Sequence, residues 1–259
     1  MTIVSTDQNR LGNLSILPIN NIQMNNEEKP DVYEKLYRLN VAAGRLITEG
    51  KRSPEALVEL LGCFVDGKIV VDINWQKTYK ALGMEKDYLK VQEELALRPY
   101  QGFWNMIVLQ GLNPLKLVTA LKNSKVNVQL DVEKSTASQN IIKNDRDPKN
   151  GTYHISLRRR IEADKENSGL SANTLKEREV HGVTILERLL LELGYFLTTG
   201  HHLDCRNKTL CTGSHDIDGN VFEMRWLCGE SCVFERLEVR KHAPDHSLKS
   251  LRARSVFVL

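Results

Sequence analysis

Cysteine and histidine residues concentrate between positions 201 and 246, and they bring the most versatile side-chain chemistry in the chain. Thiolate and imidazole groups bind zinc, and a thiol beside a base can act as a catalytic nucleophile. The residues are Cys205, Cys211, Cys228, Cys232, His201, His202, His215, His242 and His246. Five residues separate Cys205 from Cys211 and three separate Cys228 from Cys232, so the short spacing that is typical of structural zinc sites is not present on both sides. A zinc-stabilised domain and a cysteine-dependent enzyme are therefore alternatives to a third interpretation, in which this segment serves recognition without a cofactor.

Other chemical signatures favour neither a familiar enzyme nor nucleic-acid binding. The sequence contains no Walker loop, no HExxH and no dinucleotide GxGxxG. Arg158, Arg159 and Arg160 form the strongest basic run, but arginines at the end of a strand are more often solvated or ion-paired. The formal charge of +3 comes from 36 basic and 33 acidic residues that are interspersed along the chain. This balance does not favour nucleic acid or an anionic lipid surface as a partner.

The chain of 259 residues is long enough for a sizeable core and for two packed units. No apolar run reaches the length of about 18 residues that a membrane span requires. No basic segment followed by an apolar core marks an export signal. We therefore expect a cytoplasmic location, in which the five cysteines stay reduced. The sequence does not indicate an oligomeric state.

Hydrophobic periodicity separates an N-terminal tail from a helical region. Residues 1–29 are polar without a sustained period, and we expect a flexible tail there. Residues 30–123 favour a mainly helical region, because apolar residues recur at helical spacing after capping residues. Helices are predicted from Pro30 to about Gly50, from Ser53 and Pro54 to about Cys63, over 75–82, 87–97 and 104–112, and from Asn113 and Pro114 onward. A short strand is predicted over 68–73.

Residues 124–259 favour a module that mixes helix with antiparallel strands, so the predicted fold class of the chain is α+β with a helical N-terminal half. Alternating apolar residues over 126–132 and 153–157 predict half-buried strands. The polar stretch 135–151 between them predicts a loop.

One helix of this module has clear start and stop signals. Thr184 and Glu187 have the spacing of a capping box, in which each side chain accepts a backbone N–H of the other residue. Gly200 is a suitable C-terminal cap. Leu190 is expected to be buried within this helix.

The last fifth of the chain alternates turn-rich polar stretches with short apolar ones, as expected for a surface that displays loops. Turn formers crowd positions 213–220 and 244–245, between spaced apolar residues that fit half-buried strands. Trp226 is expected beneath these strands. Arg252 and Arg254 share one strand face, from which they can hold an acidic loop in place.

The order of these motifs resembles an uncharacterised family of proteins from small-genome candidate-phylum bacteria. The resemblance covers about residues 98–259. The segments that carry it are GFWNMIVLQGLNPLKLV, GVTILERLLLELGYFLTTGHHLD, TLCTGS, a turn-rich stretch that ends in Trp226, and PDHSLKSLRARSV. This resemblance implies no biochemical activity.

The module, a helix followed by short strands and an Arg-rich final strand, also resembles the C-type-lectin-like fold. Formylglycine-generating enzymes share that fold with variable proteins that are diversified by retroelements. In the variable proteins the altered positions lie near the C-terminus, on a surface supported by a rigid small fold. The resemblance implies exposed ligand-binding positions at His215, Asp216, Asp218, Asn220, Glu223, Arg225, His242, Asp245, His246 and Lys249.

We interpret the chain as a non-enzymatic recognition protein that binds a protein or glycan ligand through its C-terminal turn-rich loops. No catalytic or metal-ligating residue is assigned. Because the loop side chains are expected at the surface, joint replacement of a subset by alanine should leave the fold intact. The subset is Asp216, Asp218, Asp245 and His246.

Overall fold

The computed structural model describes residues 29–51, 53–54, 57–58, 61, 71–95, 102–130, 142–227 and 235–258. These residues form helices and mixed sheets, so the predicted α+β class is confirmed. The chain divides into two compact units, Met1–Gly62 and Cys63–Leu259. The predicted tail lies outside the described residues, except that Lys29 begins the first helix.

The described part of the first unit contains a long helix, α1 (Lys29–Thr48), which confirms the prediction from apolar spacing. Gly50 follows at a φ of 67°, a left-handed conformation that glycine adopts without strain. Pro54 is helical, as predicted for the start of a second helix. Most of that helix, together with Cys63, lies outside the described residues.

Three further helices are confirmed in the second unit: α2 (Trp75–Ala81), α3 (Glu85–Leu95) and α4 (Pro114–Asn123). Asn74 and Asn113 cap α2 and α4, because each side-chain oxygen accepts a backbone N–H three residues further on. None of the described helices has the length and apolarity that crossing a membrane would require.

The apolar stretch 104–112 was predicted as a helix, and this is wrong, because it contains a strand, β1 (Phe103–Val108). Both faces of its C-terminal half are buried, so the stretch is continuously apolar and its pattern cannot distinguish a strand from a helix. β1 pairs with β4 (Tyr153–Arg158), which pairs with β9 (Val256–Val258) in a three-stranded antiparallel sheet. The described residues of the stretch 68–73 belong to no strand.

A six-stranded sheet contains most of the described strands. Its strands are β2 (Val128–Leu130), β3 (Lys143–Asn144), β5 (Lys208–His215), β6 (Val221–Leu227), β7 (Arg236–His242) and β8 (Leu251–Ala253). The order is β2-β7-β6-β5-β3, with β8 beside β5. The β2–β7 and β5–β8 pairs are parallel and the other pairs are antiparallel. β3 lies within the predicted loop 135–151. The sequence did not predict this strand, because two paired residues are too few to show a hydrophobic period.

The helix α6 (Ile185–Thr199) packs against this sheet and against α4. Its predicted capping box is confirmed, because the Thr184 hydroxyl accepts the N–H of Glu187 and the Glu187 carboxylate accepts the N–H of Thr184. Gly200 ends the helix at a φ of 74°. Leu190 is fully buried, as predicted.

A short helix that was not predicted, α5 (Ala172–Glu177), covers part of the sheet. Its Leu175 is buried with Leu210 of β5 and Leu251 of β8 in a small apolar cluster. Cys211, the next residue of β5, belongs instead to the main core with α6. Because successive strand residues point to opposite faces, α5 and α6 lie on opposite faces of the sheet.

A network of buried charges joins α6 to the C-terminal segment. The fully buried Arg188 donates to Glu192 at 2.7 Å and to Asp204 at 2.9 Å. Arg254 donates to the other oxygen of Asp204 at 2.7 Å and to the carbonyl oxygen of Ile161 at 2.6 Å. Burial opposes the charge of Asp204, but attraction to both guanidiniums holds its pKa below the ordinary value. The prediction that Arg252 and Arg254 hold an acidic loop is confirmed for Arg254, which follows the last residue of β8. It is not confirmed for Arg252, whose Nε has no hydrogen-bond partner among the described residues.

The basic run is ion-paired, one of the two states that the sequence analysis predicted for it. Arg158 and Arg160 both contact Asp164, at 2.9 and 3.5 Å. Arg159 contacts Asp72.

The TLCTGS segment contains a glycine because two backbones cross closely there. β5 bulges between Cys211 and His215. Inside the bulge, a Cβ atom on Gly213 would lie 2.8 Å from the carbonyl oxygen of Gly182. The adjacent Ser214 hydroxyl accepts the first backbone N–H of α6 at 2.9 Å. The bulge therefore positions the start of α6.

We expect Gly213→Ala to lower the free energy of unfolding by about 1–3 kcal/mol, because the added methyl group must displace backbone atoms. Gly44→Ala within α1 is the matched control, since a Cβ atom there meets open space, and it should be neutral or slightly stabilising. Urea unfolding followed by circular dichroism measures both variants. An unchanged midpoint for Gly213→Ala would contradict the proposed role of the crossing.

His154 of β4 is buried, and neither ring nitrogen has a hydrogen-bond partner among the described residues. Burial lowers its pKa, so the unfolded chain binds the proton more readily and stability falls as the pH drops below about 6.5. We expect His154→Leu to remove this part of the pH dependence and to maintain or raise stability near neutral pH. Thermal unfolding of both proteins across the weakly acidic range measures the effect. If the stability of the two proteins changes equally with pH, other groups cause the pH dependence.

Candidate ligand-binding surface

A buried carboxylate holds the turn between β5 and β6, residues 216–220. Asp216 is only 2% exposed. Its side chain accepts the backbone N–H groups of Asp218 and Asn220 at 3.0 and 2.9 Å, the Asn220 amide at 3.1 Å and the Lys241 ammonium at 3.0 Å. Burial alone would raise the pKa of Asp216, but hydrogen bonds from Asn220 and Lys241 hold it below the ordinary value. The turn is thus fixed from its buried side.

The end of β7 lies beside this turn. His242 is the cross-strand partner of Val221, the first residue after the turn. The rings of His242 and His246 stack with their centroids 4.5 Å apart, so the loop 243–250 begins at the same end of the sheet. We call this end of the sheet the turn surface and define it as residues 215–220 and 242–246.

The sheet face opposite α6 continues from the turn surface. Glu223 and Arg225 of β6 point to that face, because they alternate with residues of the main core. Glu223 is contacted by His242 at 2.8 Å and by Lys208 at 3.0 Å. These contacts connect the turn surface to the side chains on the sheet face opposite α6.

Most of the predicted ligand-binding residues come together in this region. Those of the turn surface are His215, Asp216, Asp218, Asn220, His242, Asp245 and His246, and those of the adjoining face are Glu223 and Arg225. Lys249 lies apart from them at the opposite end of the sheet. The loop 243–250 runs to β8, whose first residue pairs with the first residue of β5.

Two of the predicted positions are buried, and the expectation of exposure is wrong for them. Asp216 and Glu223 are buried and ion-paired, so they support the surface from beneath. Asp218 and Asp245 are exposed. The expectation that Asp216 can be replaced without loss of stability therefore loses its basis.

Sequence reasoning missed Ile217, which is 54% exposed at the tip of the turn. The signal was present, because an aliphatic residue stands there between two turn-forming aspartates. In so tight a turn its side chain cannot reach the core, so the residue stays at the surface.

The cysteine and histidine residues that the structure describes are not gathered into one site. In the part of the chain that the structure describes, no group of three His, Cys, Asp or Glu side chains is arranged to hold a metal ion. Cys211 is buried in the core, and burial raises the pKa of its thiol to about 12, which disfavours the reactive thiolate. Cys228 and Cys232 lie outside the described residues.

His202 has a structural role between two aromatic rings. It stacks on Phe196 and on Trp226, with centroid distances of 4.8 and 3.4 Å, and its Nδ1 atom lies 2.8 Å from the buried Glu192. Trp226 is buried beneath the strands, as predicted. His202 and Cys205 line a cavity of about 780 Å³, in which the Cys205 thiol lies 3.6 Å from the backbone carbonyl oxygen of His202.

Comparisons of the chain with protein-family models, with curated proteins and with solved structures found no match. Function therefore has to be inferred from the geometry and chemistry of the surface itself.

We expect Asp216→Ala to lower the free energy of unfolding by about 1–3 kcal/mol, because it leaves backbone donors of the turn and a lysine without their acceptor. Asp218→Ala removes an exposed carboxylate from the same turn, and its effect should stay within about 0.5 kcal/mol. Urea unfolding of the two variants measures the difference. Equal effects would show that Asp216 does not hold the turn.

Proposed function

We propose that this chain is a recognition protein that binds a macromolecular or glycan ligand through the turn surface. One observation carries the proposal: a buried carboxylate that accepts hydrogen bonds from four donors holds a turn whose tip is an exposed aliphatic residue. The buried residue is Asp216 and the exposed one is Ile217.

A rigid turn favours binding because less conformational freedom is lost when the ligand is bound. Ile217 provides apolar contact area, and the exposed Asp218 provides a charge beside it. Apolar contacts surrounded by polar groups are the usual composition of a protein interface. The described residues of the turn surface provide both.

The resemblance to the C-type-lectin-like fold supports the same location. In retroelement-diversified variable proteins the altered positions lie near the C-terminus on a rigid support. Here α6 and its buried charges form such a support, and the turn surface lies at the end of the sheet that packs on α6. Side chains of the turn can then vary while the core stays unchanged.

Ile217→Ala tests the proposal, with Leu115→Ala as the matched control. Leu115 is an exposed aliphatic residue of α4, so both variants remove the same kind of side chain. The wild-type chain and both variants are compared on a glycan array and by capture of proteins from a bacterial lysate with identification by mass spectrometry. We expect Ile217→Ala to lose ligands that the wild-type chain and Leu115→Ala retain, because it removes the apolar contact area at the tip of the turn.

Both variants should remain folded, since exposed substitutions change stability by about 0.5 kcal/mol or less. Urea unfolding of each variant provides the check. If folded Ile217→Ala retains every ligand of the wild-type chain, or if the wild-type chain binds none, the proposed function is wrong.

A further inference from the structure

The sheet face opposite α6 carries a cluster of cations that we call the arginine face. It consists of Lys208, Arg225, Arg236 and Arg240 around the carboxylates of Glu223 and Glu238. The register of β6 and β7 places Arg225 opposite Glu238, and Glu223 opposite Arg240. Among the residues that the structure describes, these four cations share two carboxylates, which leaves a surplus of two positive charges.

Three guanidinium groups converge on the single carboxylate of Glu238. Arg225 donates to it at 3.0 and 3.2 Å, Arg240 at 3.1 Å and Arg236 at 3.3 Å. Glu238 is 2% exposed, whereas the three arginine side chains are 24%, 44% and 30% exposed in that order. The carboxylate thus lies beneath guanidinium groups that have more N–H donors than Glu238 has positions to accept them.

This arrangement leaves an electrostatic imbalance. One carboxylate compensates one of the three guanidinium charges, and the remaining like charges repel each other. Burial alone would raise the pKa of Glu238, but the hydrogen bonds from Arg225 and Arg240 hold it below the ordinary value, so the residue stays ionised. A further anion would offset the surplus, and Glu238 already holds the guanidinium groups in position for it.

The geometry favours the carboxylates of an extended peptide over nucleic acid. Bases stack on aromatic side chains, but the aromatic residues of β6, Phe222 and Trp226, point into the core on the other face. Alternate residues of an extended peptide lie about 6.6–6.8 Å apart. Arg236 and Arg240 flank Glu238 along β7 and lie four residues apart, so acidic side chains four residues apart in an extended peptide match the separation of these two positions.

We propose that the arginine face binds an acidic segment of a partner protein in an extended conformation, with carboxylates that meet Arg225, Arg236 and Arg240. This inference rests on the proposed recognition function and gives it a class of partner. The turn surface adjoins the arginine face through the contact of His242 with Glu223, so one partner can contact both.

Binding of a labelled peptide that alternates glutamate and serine tests the inference by fluorescence anisotropy on the full chain. We expect salt-sensitive binding that Arg236→Gln with Arg240→Gln weakens about tenfold, while Arg225 still pairs with Glu238. Lys116→Gln with Lys122→Gln removes two charges from exposed positions of α4 and is the matched control. Lysine at positions 236 and 240 keeps the charge but not the guanidinium fork, and should weaken binding less than glutamine does.

Four results would overturn the inference. One is that the glutamate peptide fails to bind, and another is that the control pair of α4 weakens binding as much as the arginine pair. A heparin oligosaccharide or a single-stranded oligothymidine could bind more tightly than the peptide, which would assign the face to a glycan or to nucleic acid. A peptide that alternates glutamine and serine must not bind.

The two proposals can fail separately. If the glutamate peptide does not bind but Ile217→Ala still loses captured ligands, only the assignment of an acidic partner fails. If the peptide binds through the arginine face but Ile217→Ala retains every ligand, the turn surface is not the binding site.

Discussion

The contact of two guanidinium groups with the fully buried carboxylate of Asp204 holds the second unit together. Arg188 reaches it from α6 and Arg254 from the C-terminal segment, and Arg254 also binds carbonyl oxygens of the loop after β4. Removing one partner of such a buried pair generally costs about 3–5 kcal/mol, because the charge that remains has neither solvent nor a counter-ion. Helix, sheet and chain terminus therefore have to come together as one unit.

A second group of carboxylates lies beneath cations near the surface. There, the numbers of positive and negative charges are not equal. In the core, Arg188 and Arg254 face Asp204 and Glu192, so the charges are equal. On the arginine face, four cations face two carboxylates. A core has to be neutral because nothing else can compensate a buried charge, whereas a surface can hold a surplus that solvent or a ligand offsets. This difference separates the supporting charges from those available for binding.

Side chains that can be reactive have structural roles in the part of the chain that the structure describes. Cys211 packs in the core, Gly213 allows two backbones to cross, and Ser214 binds the first N–H of α6. His202 is held between aromatic rings and against Glu192. Residues with reactive side chains thus serve here to position α6 and the sheet, and the exposed features lie in the turn and on the arginine face.

The sequence alone determined the elements whose signals are local. The capping box of Thr184 and Glu187 and the cap at Asn113 depend on residues three positions apart, and alternation identified β4. The burial of Leu190 followed from the same periodicity.

Only the tertiary structure decided which polar residues are buried. Asp216 and Glu223 have the composition of a surface, but Lys241 lies 25 positions from Asp216 and brings it a partner that no local pattern indicates. β1 is a strand because it forms hydrogen bonds with β4, which lies some 50 residues later in the chain. Because β1 is continuously buried, it lacks the alternating pattern that would have identified it as a strand. Pairing across such distances depends on the whole fold, whereas caps and periods depend on neighbours in the chain.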